Sequence, residues 1–375
     1  MSGIYIHIPF CKQRCTYCDF HFSTSYEKYY EEMVSAICIE IEQRKQEVVD
    51  EVVNTIYFGG GTPSLLKQED LNLIFDTLRK NYKINPEAEI TLEANPDDIS
   101  IEILKIWEAE GINRLSIGLQ SFRPQDLKWM NRAHNATESK RCIEMVKEVG
   151  VHSLSVDLIY GLPDLPIKDW DEQIKNVINY GVEHISAYCL TVEEKTALAK
   201  QVQEGSIIPS DEDEQSAQYL YLVDKLKSAG YEQYEISNFC LPGKESKHNS
   251  SYWKGITYQG FGPSAHSFDG KKRRFNVRNN ALYMKNVNSG INYYDDETLT
   301  PVNRFNEIIL TTLRTKWGVS VRSLISVQTP STGFYSKVDE FSKKNWLKVE
   351  NETIFLIGEG WLMADYISAE LFAGD

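Results

Sequence analysis

Strand and helix patterns alternate six times before residue 230, and that period leaves few folds open. Residues 3–8 (GIYIHI) alternate as a short strand does, and residues 25–47 read as a long amphipathic helix. Apolar strand patterns follow at 53–58, 89–92, 114–118, 154–159 and 184–190. Helical patterns lie between and after them, at 67–82, 100–110, 167–180 and 212–229, with helical segments up to 149 after the fourth strand. The stretch before the last helix reads as a long acidic loop. Six βα units predict an α/β chain with a parallel sheet and helices outside it. Right-handed crossovers would curl the sheet into a full or partial TIM-like barrel.

In such sheets, ligands bind at the carboxyl ends of the strands. The unusual polar residues fall there. Cys11, Cys15 and Cys18 follow strand one, and Gly59, Gly60, Gly61 and Thr62 follow strand two. Glu93 closes strand three, Gln120 strand four, Asp157 strand five and Tyr188 strand six. Taken singly, a glycine run is a turn and a strand-end carboxylate is a helix cap. Six such features on one rim mark a site.

Three thiols within eight residues cannot all pair with one another. The chain has seven cysteines, an odd number with four of them scattered, which is a poor disulfide framework and fits a reducing cytosol. Thiolates favour zinc and iron–sulfur clusters. Three would fill three corners of a four-iron cluster and leave one iron open. Zinc with His21 as fourth ligand and inert buried cysteines remain alternatives at this point. The net charge of −14, from Lys+Arg 40 against Asp+Glu 54, argues against a general nucleic-acid or anionic-membrane binder. The run KKRR at 271–274 reads as a solvated turn after Asp269-Gly270. No apolar run is long enough to span a bilayer, and the N-terminus lacks a signal-peptide layout.

With these residues placed, the C-x-x-x-C-x-x-C spacing resembles the radical S-adenosylmethionine (SAM) superfamily. The stretches YIHIPFC, YFGGGTPS, LEANPDD, RLSIGLQSF, VDLIYGLP and YCLTVE are similar to its coproporphyrinogen-dehydrogenase-like branch. The resemblance implies a partial, six-unit βα barrel. It implies that Cys11, Cys15 and Cys18 ligate a 4Fe–4S cluster whose open iron is chelated by SAM. Reduction of such a cluster cleaves SAM to a 5′-deoxyadenosyl radical. By the same resemblance Gly60, Gly61 and Thr62 lie along SAM, an approach that missing Cβ atoms permit. Glu93, Gln120, Arg132 and Asp157 match further SAM contacts, and Tyr5 and Tyr17 match residues flanking the cluster and SAM.

Two functions coexist in that branch: oxygen-independent coproporphyrinogen III dehydrogenases and heme chaperones. The dehydrogenases carry a further Cys two residues after the third, where this chain has Phe20. They also have a long extension before the first cluster Cys, which here is residue 11. Residues 248–253, HNSSYW, resemble the HNxxYW motif of the heme chaperones, and EISNFCLPGKESKHN and GFGPSAHSF around it match that branch too. The implied function is a cytosolic carrier that binds heme and passes it to a client protein, including a transiently docked membrane protein. His248 is the candidate heme ligand, because imidazole is a common axial ligand and a helix would put Tyr252 on its face. His266 is its rival.

Beyond residue 300 the period changes. Residues 303–315 read as a helix, 321–327 as a short helix, and 346–349 with 353–357 as a hairpin turned at Asn351. A last helix carries Met363, Ile367 and Leu371 on one stripe. The outline is a small α+β, winged-helix-like unit, and the acidic balance makes capping or partner docking a better role than DNA binding. The expected division is a barrel core at 1–235, an extension with the HNxxYW motif at 236–300, and this unit at 301–375.

Overall fold

The structure, a computed structural model, describes residues 2–47 and 52–374. The N-terminal half runs β1 (Ser2–Ile8), α1 (Tyr30–Gln43), β2 (Val53–Gly60), α2 (Gln68–Asn81), β3 (Ile84–Ala94), α3 (Ile101–Glu110) and β4 (Arg114–Gln120). It continues with α4 (Pro124–Trp129), α5 (Ala136–Val149), β5 (Ser153–Tyr160), α6 (Ile167–Asn179), β6 (His184–Cys189), α7 (Ala197–Gln203) and α8 (Glu212–Ser228). Strands β1 to β6 pair in sequence order, all parallel. Their apolar residues, among them Ile4, Ile6, Phe58, Leu92, Ile117, Val156 and Ile185, join one core with Ile37, Phe75, Ile143, Trp170 and Leu222 of the helices.

Two short strands, β7 (Glu232–Glu235) and β8 (Asn238–Cys240), add antiparallel to the β6 edge. After helix α9 (Lys247–Trp253), strand β9 (Tyr258–Phe261) joins β1 in parallel. Then β10 (His266–Phe268), β11 (Lys272–Asn276), α10 (Asn280–Asn288) and β12 (Tyr294–Thr298) complete the first part, the strands continuing antiparallel. The result is an open sheet of twelve strands with β12 and β7 at its edges, a partial barrel. The run KKRR is not a turn. Its last three residues begin β11, where Arg274 pairs with Asp296 and Glu47, each at 2.8 Å, so ion pairing replaces the expected solvation.

The tail forms α11 (Pro301–Thr312), β13 (Val319–Ser320), α12 (Val321–Ile325), α13 (Thr332–Lys343), β14 (Leu347–Glu350), β15 (Thr353–Leu356) and α14 (Ala364–Leu371). Phe305, Ile309, Phe334, Phe341, Ile354 and Ile367 build a second core. Its three-stranded sheet has the order β13-β15-β14. The tail covers the exposed edge of β7, where the Lys316 N–H donates to the Tyr234 carbonyl at 3.0 Å. Among the described residues, three helices escape the sequence pattern. Helix α7 lies inside the expected acidic loop, α10 falls in the extension where no helix is expected, and α13 carries Phe334, Val338 and Phe341 at helical spacing behind a Ser331 cap. Among the described residues, no helix is long and apolar enough to cross a membrane.

Candidate functional site

The cysteine loop is held by backbone and charge from several elements. The Cys11 N–H donates to the Ser23 carbonyl at 3.1 Å, and the Thr16 N–H to Met130 at 3.1 Å. Gln13 and Asn131 exchange side-chain-to-backbone bonds with each other's segment at 2.8 Å. The Leu198 N–H of α7 donates to the Thr16 carbonyl at 2.9 Å. Lys12 pairs with Asp97 at 2.6 Å and with Asp98, both in the turn after β3. A loop so tied keeps its thiols in place before any ligand arrives, which lowers the ordering cost of binding.

Cys11, Cys15 and Cys18 line one cavity of about 440 Å³ at the carboxyl ends of the strands. Tyr17, Gly60, Gly61, Thr62, Glu93, Gln120, Arg132 and Asp157 line it as well. Each of two thiols has its own donor: Thr62 Oγ1 reaches Cys11 Sγ at 3.4 Å, and Arg132 reaches Cys15 Sγ at 3.4 Å. Among the described residues, no three His, Cys, Asp or Glu groups converge on a single metal position. The His21 ring meets Asn280 Oδ1 at 2.6 Å through Nε2. The three thiols share that cavity, and three is the number of thiolates that a four-iron cluster with one open iron takes. Burial pushes the Cys11 thiol up to about 12 and the Cys18 thiol up to about 11, so a bound metal must displace their protons.

The carboxylates are equally prepared. Desolvation pushes Glu93 up to about 7, although Tyr57 O–H donates to it at 2.7 Å and the Gly60 N–H at 3.2 Å. Desolvation also pushes Asp157 up to about 6, beside the Ser116 hydroxyl at 3.4 Å. Both would gain from a cationic or donor-rich ligand. Arg132 is fixed by Asn95 Oδ1 at 2.6 Å and the Gly118 carbonyl at 2.8 Å. Burial opposes its charge, and Tyr17 and Cys15 outweigh that, so its pKa rises. Sequence reasoning missed Asn95, which lines the cavity and orients Arg132; the LEANPDD stretch carried the signal.

Two glycines have a reason the sequence did not show. A Cβ on Gly61 would sit 2.5 Å from the Phe10 carbonyl oxygen, and one on Gly60 would sit 2.5 Å from the His7 ring. These residues let the glycine loop lie against the start of the cysteine loop. Gln120 has φ 65°, in the left-handed region, at a register shift between β4 and β5. Such strain in a non-glycine residue costs of order 1–3 kcal/mol and gathers at functional sites.

Tyr5 does not line the cysteine cavity. It faces the barrel interior, with its hydroxyl 3.1 Å from His7 Nδ1 and its ring stacked 6.1 Å from Tyr57. His248 is also inside, 1% exposed. Its Nδ1 meets Thr55 Oγ1 at 2.8 Å and its Nε2 meets the Tyr252 hydroxyl at 2.8 Å. The Glu89 carboxylate receives the Lys247 and His248 N–H groups at 2.9 and 2.8 Å and so caps α9. His248 therefore spans α9 and β2, and heme iron could reach it only by breaking one of these bonds. His266 lies elsewhere, exposed on β10.

A parallel βα sheet with three thiols on the first loop is the layout of the radical SAM class, and the model of the radical SAM superfamily matches residues 5–185. The heme chaperone HemW of Bacillus subtilis is 32% identical over 98% of both chains. That of Mycobacterium tuberculosis strain H37Rv is 31% identical over 97% of this chain and 93% of its own. The Escherichia coli coproporphyrinogen III oxidase HemN, a radical SAM enzyme, superposes with a TM-score of 0.86 at 21% identity, over 99% of this chain and 90% of its own, which shows a shared fold. The chain belongs to the HemW family of the radical SAM superfamily.

Proposed function

We propose that the protein is a cytoplasmic heme carrier built on a radical SAM barrel. Cys11, Cys15 and Cys18 would hold a 4Fe–4S cluster, and Gly60, Gly61, Thr62, Glu93, Gln120, Arg132 and Asp157 would hold SAM beside it. The single observation behind this is the cavity that gathers those thiols, the glycine loop and two desolvated carboxylates, in a chain whose relatives are named heme chaperones. When bound, the cluster and SAM supply an electron relay and a source of a carbon radical. The chain's own residues bind and orient: Glu93 and Asp157 recognise cationic or hydroxyl groups, and Arg132 steadies the negative charge of cluster thiolates. Heme would pass to a client protein, soluble or membrane-embedded. Phe20 supports a carrier over a dehydrogenase. It stands where the dehydrogenases have a further Cys, and its ring is 71% exposed at the cavity mouth. The 301–375 segment, with its own core, would dock the client.

The test is heme titration of anaerobically reconstituted protein, with and without SAM. Saturable binding supports the reading. Absence of any saturable binding contradicts it.

A further inference from the structure

A second, wider cavity of about 890 Å³ lies between the barrel mouth and the tail. Its size is in the range that takes a cofactor-sized ligand. Asp19 and Phe20 of the cysteine loop line both it and the cysteine cavity, so the two share a wall. Tyr252, Trp253, Tyr258 and Phe268 give it flat apolar faces. Buried Trp253 Nε1 has no hydrogen-bond partner within the described residues.

The charge around it opposes that of the molecule. In a chain of net charge −14, four cationic side chains line this cavity, Lys254, Arg273, Arg278 and Arg304, against two carboxylates, Asp19 and Glu307. Arg273 and Arg304 share Glu307 as partner, and Arg304 stacks 4.9 Å over Phe268. Planar guanidiniums over an aromatic floor suit a flat ligand with carboxylates at one edge.

The histidines separate by what their nitrogens already do. His7 uses both, on Tyr5 at 3.1 Å and on the His21 carbonyl at 2.9 Å. His248 uses both and lines the barrel interior instead. His21 commits Nε2 to Asn280. His266 is exposed in the wide cavity and makes an edge contact with Phe275 at 4.8 Å.

We propose that this cavity is the heme seat, with His266 as the axial ligand, Tyr252 and Trp253 as a wall, and Arg273 and Arg304 receiving the propionates. On this reading the HNxxYW motif contributes its aromatic pair to the seat, while His248 props Tyr252 from behind. The inference rests on the heme-carrier reading above.

The experiment is a ferric-heme titration of cluster-loaded protein, read at the Soret band. His266→Ala should raise the dissociation constant about tenfold or more and shift the band, with iron and sulfide unchanged. Added imidazole should restore the band. His248→Gln, which keeps hydrogen-bonding capacity toward Thr55 and Tyr252, should leave the band in place, as should His21→Ala. Arg273→Gln with Arg304→Gln should weaken heme binding but leave binding of the heme dimethyl ester unchanged. A wild-type spectrum and affinity in His266→Ala, or loss of the band in His248→Gln, would overturn the seat, and loss in His21→Ala would overturn His266 as its ligand, each leaving the carrier function standing. Wild-type protein that binds no heme would remove the carrier function itself.

Discussion

Cys15 and Cys142 are the same residue with opposite surroundings. Cys142 is fully buried on α5, where its thiol donates to the Ser139 carbonyl at 3.1 Å and burial pushes its pKa up to about 12. Cys15 faces a cavity and the Arg132 guanidinium, an environment that suits a thiolate ligand. Cys11→Ala, Cys15→Ala and Cys18→Ala should each abolish stable iron incorporation, and Cys142→Ala should not. Iron and sulfide analysis after anaerobic reconstitution decides it, and near wild-type content in Cys15→Ala would sink the cluster assignment. Glu93 carries a pH prediction. Its folded pKa is raised by burial from 4.5 to about 7. The folded state thus keeps the proton longer than the unfolded chain. Its contribution to stability is complete below 4.5 and is lost as pH rises through 7. Thermal melts of ligand-free protein should fall across that window by more in wild type than in Glu93→Gln, and equal slopes would show that the carboxyl is not desolvated. At this scale, the thiols, glycines and strand-end polar residues that line the cysteine cavity stood out by type and position, while Tyr17 and Arg132 came only from the resemblance. The sequence could not mark their partners, since Thr55 lies 193 residues from His248.

The loop after β2 shows what an element can hide. Its glycines read as an approach for a ligand, and the structure adds an internal reason, the contact of Gly61 with the Phe10 and Ile8 carbonyls. A Cβ there would meet backbone oxygens at 2.5 and 2.9 Å, and backbone cannot swing aside as a side chain can. Gly61→Ala should cost about 1–3 kcal/mol and, by moving the cysteine loop, reduce cluster retention. Denaturant melts and iron content on the same sample measure both, and an unchanged melt with full iron would contradict this packing. Strands β1 to β6 were legible because both faces are covered, which writes an apolar run into the sequence. Strands β7 to β12 were not, being only three to five residues long, and the edge strands β11 and β12 are largely polar, KRRFN and YDDET. Helix α7 was hidden by its shortness at seven residues. Helix α13 had a readable stripe in Phe334, Val338 and Phe341, masked by Gly333 and a polar majority.

As a whole, the molecule places two cavities on either side of one loop. The cysteine cavity and the wide cavity meet at Asp19 and Phe20, and the tail closes the far side of the wide one with Ile308 of α11 and Ser323 of α12. The parallel βα sheet and the outline of the tail, without α13, were legible from period; that the barrel is partial came from the resemblance. The wide cavity was not legible, because its walls come from segments 5–21, 249–278 and 304–327, which only the fold brings together. On the proposed reading, heme in the wide cavity would lie across the shared Asp19–Phe20 wall from the cluster. The most direct test loads reconstituted protein with heme and mixes it anaerobically with an excess of a heme-free acceptor protein, in the presence of SAM. A parallel sample receives coproporphyrinogen III, SAM and reductant. The account predicts that chemically unchanged heme moves to the acceptor, read by the acceptor's Soret band and mass spectrometry, and that the parallel sample forms no protoporphyrinogen. Heme that stays bound or is degraded, together with sustained formation of protoporphyrinogen, would contradict it.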